Sequence, residues 1–215
     1  MTFLDFFAGV GGFRRGMELA GHKCIGFCEW DKYATASYTS MHLITEKQRE
    51  YLATLPLKQR QKEILKEEYR NGEWYSNDIR RVNAGNVPRA NCYCFGAPCQ
   101  DFSVAGARKG LNGDRSSLVR EVFRIINELK EEDRPEWLIY ENVKGMLSSN
   151  HGWDFAAILC EMDRGGTTSN GSYSTLNTTE YLRTGNVCIL SDILEEKVEQ
   201  KYFLSAEQTE RIIFK

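Results

Sequence analysis

The chain opens Met1-Thr2-Phe3-Leu4-Asp5-Phe6-Phe7-Ala8-Gly9-Val10-Gly11-Gly12-Phe13, an apolar run, a glycine turn and the start of a helical pattern. Thr2 to Ala8 is apolar on both faces, as in a parallel strand covered on both sides. Phe13 to Ala20 has helical spacing, and Gly21 closes it from the C′ position. Strand, glycine turn and helix together present backbone N–H groups and a helix N-terminus to a nucleotide-like ligand. The same glycines also fit a tight turn that needs positive φ, so both readings stand on these residues alone.

The second strand is Lys23 to Trp30, ending in Glu29-Trp30-Asp31. An acidic residue closing the second strand suits ribose hydroxyls, and Trp30 could stack on an adenine ring. The plainer alternatives are a core tryptophan and an N-cap by Asp31 for a helix to about Met41. Leu43 to Trp74 is charge-rich and reads as short amphipathic surface helices separated by Pro56. Ser76-Asn77-Asp78-Ile79-Arg80 closes a short strand, although Asp and Asn are ordinary turn formers.

Asn91 to Phe95 is another buried strand. It leads into Gly96-Ala97-Pro98-Cys99-Gln100-Asp101-Phe102-Ser103. A thiol fixed just past a strand end is a candidate nucleophile. The polar loop Gly106 to Ser117 exceeds the usual connection length and hints at function. Leu118 to Leu129 is helical by period. Trp137 to Tyr140 is a strand with Glu141-Asn142-Val143 at its carboxyl end, and His151 to Met162 is one more helix. Arg164 to Thr179 is polar and reads as loop or linker. The tail regains apolar spacing, with helix starts at Ser191-Asp192 and Ser205-Ala206.

The 215 residues suffice for one sizeable domain. Hydrophobic residues at 41% and charged residues at 27% fit a soluble globular protein. There is no signal-peptide pattern at Met1 and no membrane-length apolar stretch, so the expectation is a cytoplasmic protein away from membranes. Seven cysteines, an odd count largely within strand-like runs, favour reduced thiols over a disulfide framework. The net charge of −2 neither supports nor excludes nucleic-acid binding. Zinc held by Cys92, Cys94 and Cys99 lacks a fourth ligand at the right spacing, so no metal is expected.

Cys99 and Glu141 fall at the ends of neighbouring predicted strands, beside the glycine turn. That set suits methyl transfer to a poor carbon nucleophile, position 5 of cytosine. Thiolate addition at position 6 makes position 5 enamine-like, and a carboxylic acid at N3 assists by proton donation. The base must first leave the DNA stack.

The motifs Asp5 to Phe13, Glu29-Trp30-Asp31, Asn77-Asp78-Ile79, Gly96 to Ser103 and Glu141-Asn142-Val143 resemble, in order and spacing, those of DNA (cytosine-5) methyltransferases. The resemblance implies an α/β, Rossmann-like S-adenosylmethionine-dependent domain over residues 1–163. It implies a polar linker or deletion junction at 164–189 and a lead-in to a target-recognition domain at 190–215. Cys99 matches the nucleophile, Pro98 its positioning partner and Glu141 the acid. Phe7, Gly9, Val10 and Gly12 match the cofactor cradle, and Gly96 and Pro98 further cofactor contacts. Glu29 matches the ribose contact and Trp30 the adenine stack. Asp78 and Ile79 match adenine contacts, and Leu118 a further cofactor contact. Gln100, Ser103 and Asn142 match substrate contacts.

The implied cofactor is S-adenosylmethionine, leaving as S-adenosylhomocysteine. The implied partner is double-stranded DNA with a flipped cytosine, in a restriction-modification setting. The family's Gln-x-Arg-x-Arg motif does not occur in the sequence. The expectations are therefore a sheet lacking its final strands, weak or absent transfer by this chain alone, and a second chain supplying the missing parts. An RNA cytosine-5 methyltransferase and a non-catalytic remnant are the alternatives.

Overall fold

The computed structural model describes residues 1–98, 118–164, 169–175, 178–185 and 187–192. Its strands are β1 (Thr2–Phe6), β2 (Lys23–Cys28), β3 (Trp74–Ser76), β4 (Cys92–Phe95), β5 (Trp137–Val143), β6 (Ser169–Thr175), β7 (Thr178–Gly185) and β8 (Val187–Asp192). They form one sheet in the order β3-β2-β1-β4-β5-β8-β6-β7. Every pairing is parallel except β6 with β7. The helices are α1 (Gly12–Leu19), α2 (Lys32–Tyr38), α3 (Glu46–Thr54), α4 (Leu57–Glu63), α5 (Val119–Glu128) and α6 (Trp153–Arg164). This is the α/β, Rossmann-like architecture that the strand–turn–helix opening predicts.

Strand periodicity divides the core between the two sheet faces. Leu4, Phe6, Tyr93, Phe95, Leu138 and Tyr140 share one face with Val122, Phe123, Ile125 and Ile126 of α5 and Ile158 of α6. Phe3, Cys24, Cys92, Cys94 and Ile139 share the other with Met17 of α1. The apolar residues of α5 recur at Val119, Val122, Phe123 and Ile126, so one stripe of that helix is buried.

Several boundaries follow local chemistry. Asp31 caps α2 by accepting from the Tyr33 and Ala34 amides at 2.8 Å each. Thr45 and Gln48 form a capping box on α3. Pro56 precedes α4, where its fixed φ is compatible with a helix start. Glu141-Asn142-Val143 lies within β5 rather than beyond it, because its backbone continues the ladder to Leu190, Ser191 and Asp192 of β8.

The polar stretch after Arg164 departs from the expectation of loop or linker. Ser169–Thr175 and Thr178–Gly185 pair as antiparallel strands. Threonine and tyrosine favour extended backbone, and the carbonyls and amides of β6 find partners on β8. The expected bare edge on β5 is likewise absent, since β8 covers it from Leu138 to Val143. The expected helix start at Ser191-Asp192 is the end of β8. The second, at Ser205, lies outside the described residues, as do Cys99, Gln100, Ser103 and the loop to Ser117. Among the described residues no helix is long and apolar enough to cross a membrane.

Candidate active site

Strand order reverses direction at β1: β2 and β3 lie to one side, β4 and β5 to the other. In open α/β sheets ligands bind outside the carboxyl ends of the strands at such a point. The pairings Phe6 with Cys28, Phe6 with Phe95, and Phe95 with Tyr140 align those ends. The segments that follow β1, β2 and β4, starting at Phe7, Glu29 and Gly96, therefore emerge side by side, level with Glu141 inside β5.

The β1–α1 turn is made by left-handed residues. Phe7 has φ 57°, Gly9 φ 55° and Gly11 φ 92°. For Phe7 that conformation carries a strain of order 1–3 kcal/mol, a feature that concentrates at binding sites. A Cβ added at Gly9 or Gly12 would point into open space, so the turn has room above it. Gly11 precedes α1 and supplies no side-chain cap to its first turn. Val10 is half-exposed at the tip.

Glu29 fastens this turn to the end of β2. Its Oε2 accepts the Gly9 amide at 2.8 Å, and its Oε1 accepts the Asp31 amide at 2.7 Å. Each carboxylate oxygen keeps a second lone pair for a ligand hydroxyl. Trp30 is 67% exposed, which overturns the core-tryptophan alternative. The Arg80 guanidinium lies 4.5 Å from its ring centre. Arg80 also donates from Nε and Nη2 to the two Asp78 carboxylate oxygens at 2.9 and 3.0 Å. These hydrogen bonds, with Arg81 close by, hold the Asp78 carboxyl below the usual carboxylate range.

On the far side, Glu141 follows Tyr140 along β5, directly across from Gly96. A Cβ on Gly96 would come within 2.7 Å of Glu141 Oε2, so this carboxylate occupies the space a side chain would take. Asn142 donates its amide to the Ala97 carbonyl at 3.3 Å and to the Tyr140 hydroxyl at 2.7 Å. Glu141 thus stands against the segment Gly96-Ala97-Pro98, which runs directly into Cys99 in the sequence.

Two residues carried over from the resemblance take different positions. Asn142 was expected to touch substrate. Its side chain is buried, and its amide supports the Ala97 backbone, because the parallel ladder turns it into the core. Ile79 was expected at the adenine. Its side chain is buried in the α5 core. Leu118 packs partly buried on the same core.

Arg14 belongs to no motif in the sequence. This buried guanidinium donates to Glu73 through Nη1 at 2.7 Å and Nη2 at 2.8 Å, and to Glu18 through Nε at 2.9 Å. It ties α1, just after the glycine turn, to the residue before β3. The partners are 59 positions apart, a separation no local pattern signals. Asp5 is also fully buried, and its carboxyl meets the Arg14 backbone amide without a well-formed hydrogen bond. Burial raises its carboxyl well above the ordinary value, against the pull of Arg14. Among the described residues no group of His, Cys, Asp or Glu could hold a metal.

A glycine turn, a carboxylate with free lone pairs and an open indole face suit a nucleoside-bearing ligand. A further carboxylate against the segment leading to a cysteine suits acid-assisted nucleophilic addition.

Comparison with known proteins gives the same outline. The family model for the C-5 cytosine-specific DNA methylase matches residues 1–52 and 45–181. Type II methyltransferase M.HhaI of Haemophilus parahaemolyticus is 33% identical over 152 residues, covering 71% of this chain and 36% of that protein. Type II methyltransferase M.BsuFI of Bacillus subtilis is 32% identical over 159 residues, covering 74% of this chain and 31% of that protein. The chain thus spans about a third of the length of these curated relatives. Among solved structures, the Entamoeba histolytica methyltransferase EhMeth superposes with a TM-score of 0.54 at 16% identity, covering 86% of this chain and 52% of that one. A DNMT2 variant of Spodoptera frugiperda gives 0.53 at 13% identity, covering 94% and 53%. At these identities the structural likeness speaks for the fold.

Proposed function

The chain belongs to the C-5 cytosine-specific DNA methylase family, and we propose that it transfers a methyl group from S-adenosylmethionine to C5 of cytosine in DNA. We assign it to the restriction-modification kind of methyltransferase, since the relatives it matches include Type II methyltransferases. The observation that carries this reading is the meeting of a glycine turn, Glu29 and Glu141 at aligned strand ends.

The residues present fit the cofactor. The open space above Gly9 and Gly12 admits its methionine part. Glu29 keeps lone pairs for ribose hydroxyls, and the exposed Trp30 ring offers a stacking face for adenine. When bound, the cofactor supplies an electrophilic methyl group on a sulfonium.

The chain's own residues prepare the acceptor. The Cys99 thiolate adds to C6 of a flipped cytosine, forming a carbon–sulfur bond. Glu141 gives a proton to N3 as electrons leave the 5,6 double bond. C5 thereby gains enamine character and takes the methyl group. Loss of the C5 proton to a base then expels Cys99 as thiolate, and the N3 proton returns to Glu141, which restores the ring and the acid. Asn142 contributes indirectly, by holding the Ala97 carbonyl beside Gly96.

The test is transfer of tritiated methyl to mixed-sequence duplex DNA, followed by nucleoside analysis. Label is expected in 5-methylcytosine, absent with Cys99→Ala and lowered about 10²–10⁴-fold with Glu141→Gln. Label on an exocyclic amine, or undiminished with Cys99→Ala, contradicts the reading. An RNA arm in the same assay separates the two nucleic acids. The absence of a Gln-x-Arg-x-Arg motif favours a second reading, in which another polypeptide completes the site. A protein that co-purifies and raises transfer would support it.

A further inference from the structure

We propose that His42 is a positioning residue for the cofactor-binding turn. The proposal rests on the reading that β1–α1 cradles the cofactor. His42 stands after α2, in the wide turn Thr39–Leu43. Its Nε2 lies 2.9 Å from the Val10 carbonyl. A carbonyl only accepts, so His42 carries its proton on Nε2 and donates it. The turn is thereby held at adjacent residues by two side chains: Glu29 accepts the Gly9 amide, and His42 donates to the Val10 carbonyl.

The support behind His42 is itself fixed. Its ring meets the edge of Tyr38 with centroids 5.0 Å apart, and Tyr38 is fully buried, stacked on Phe27 at 4.0 Å. The Leu43 carbonyl accepts from Asn71 Nδ2 at 2.6 Å. Contact with the turn is close enough that a Cβ on Gly11 would collide with His42 Nε2 and come within 2.7 Å of its Cδ2. Gly11 is therefore required by φ and by the imidazole lying over it. The His42 ring sets where Val10 and Gly11 lie, and hence the aim of the amides that open α1.

The experiment compares amide hydrogen exchange of the free protein with S-adenosylhomocysteine titration. The chains compared are wild type, His42→Ala and His42→Gln, whose amide N–H can replace the donor. With His42→Ala, exchange across Gly9–Phe13 is expected to quicken about tenfold while β4 amides stay unchanged. The dissociation constant is expected to rise about tenfold, because the competent turn is less populated. His42→Gln is expected to recover most of both effects. Unchanged turn exchange in His42→Ala overturns the proposal, as does a folded His42→Gln no better than His42→Ala. A wild type that takes up no cofactor refutes the cofactor reading, while the exchange comparison still decides the role of His42.

Discussion

Replacing Arg14 by methionine removes the cation that joins α1 to the start of β3, and its cost can be worked out from its partners. The guanidinium makes paired hydrogen bonds to Glu73 and a third to Glu18. Breaking a buried pair by deleting one partner costs about 3–5 kcal/mol. Side-chain exposure is 6% for Arg14, 20% for Glu73 and 34% for Glu18, so water partly rescues the abandoned carboxylates. The expected loss is then about 2–3 kcal/mol. With a urea m-value of about 2 kcal/mol/M, the midpoint falls by about 1–1.5 M. Arg14→Lys keeps the charge but loses the two-pronged geometry, so it should fall between methionine and wild type. Arg14→Met combined with Glu73→Leu should recover most of the loss, because the more buried abandoned carboxylate is gone and Glu18, 34% exposed, is left to water. A midpoint shift under 0.3 M for Arg14→Met, or a double variant as unstable as the sum of the singles, would refute this reasoning.

Further predictions follow from the glycines and from Asp5. Gly96→Ala places a methyl group within 2.7 Å of Glu141 Oε2. Displacing a catalytic group by about 1 Å can cost about 10²-fold in rate, so transfer of tritiated methyl should fall. Gly26→Ala puts Cβ within 2.7 Å of the Trp74 carbonyl, a backbone atom that cannot swing aside. Thermal unfolding should register a loss of about 1–3 kcal/mol or more. Asp5 has its folded-state pKa raised by burial, so the unfolded chain ionises first and folding stability falls as pH rises above about 3.8. Chemical unfolding of Asp5→Asn should lack that decline, so its stability relative to wild type improves from pH 4 to pH 7. A gap that is constant with pH would contradict the raised pKa of the buried carboxyl.

Much of the fold was legible because its signals are local. β1, its glycine turn and α1 follow from an apolar run, positive-φ residues and a 3.6-residue period. β2, β4 and α5 are equally plain. What was not legible depends on partners distant in sequence. Ser169–Thr175 has the polar composition of a linker, and only pairing with β7 and β8 makes it a strand. Trp30 could be a core residue or an open platform, because one indole at a strand end has no period to place it. Asn142 sits beside a catalytic candidate in the motif, yet the pleat turns its side chain into the core. Arg14 and His42 act across 59 and 32 positions, respectively. The order of the motifs therefore pointed to the chemistry, while the supports beneath the site emerged only from the packed sheet.

The central claim is that the ends of β1 and β2 form an S-adenosylmethionine site. Calorimetric titration of the chain with S-adenosylhomocysteine tests it most directly, beside Glu29→Ala and Trp30→Ala. Saturable one-to-one binding is predicted for wild type, and loss of the stacking face at Trp30 should weaken it by about 1–3 kcal/mol. Glu29→Ala should weaken it further than Trp30→Ala, since that carboxylate holds the turn and on this account would also take the ribose hydroxyls. No heat of binding at high protein concentration, or equal affinity in all the proteins, would contradict the account.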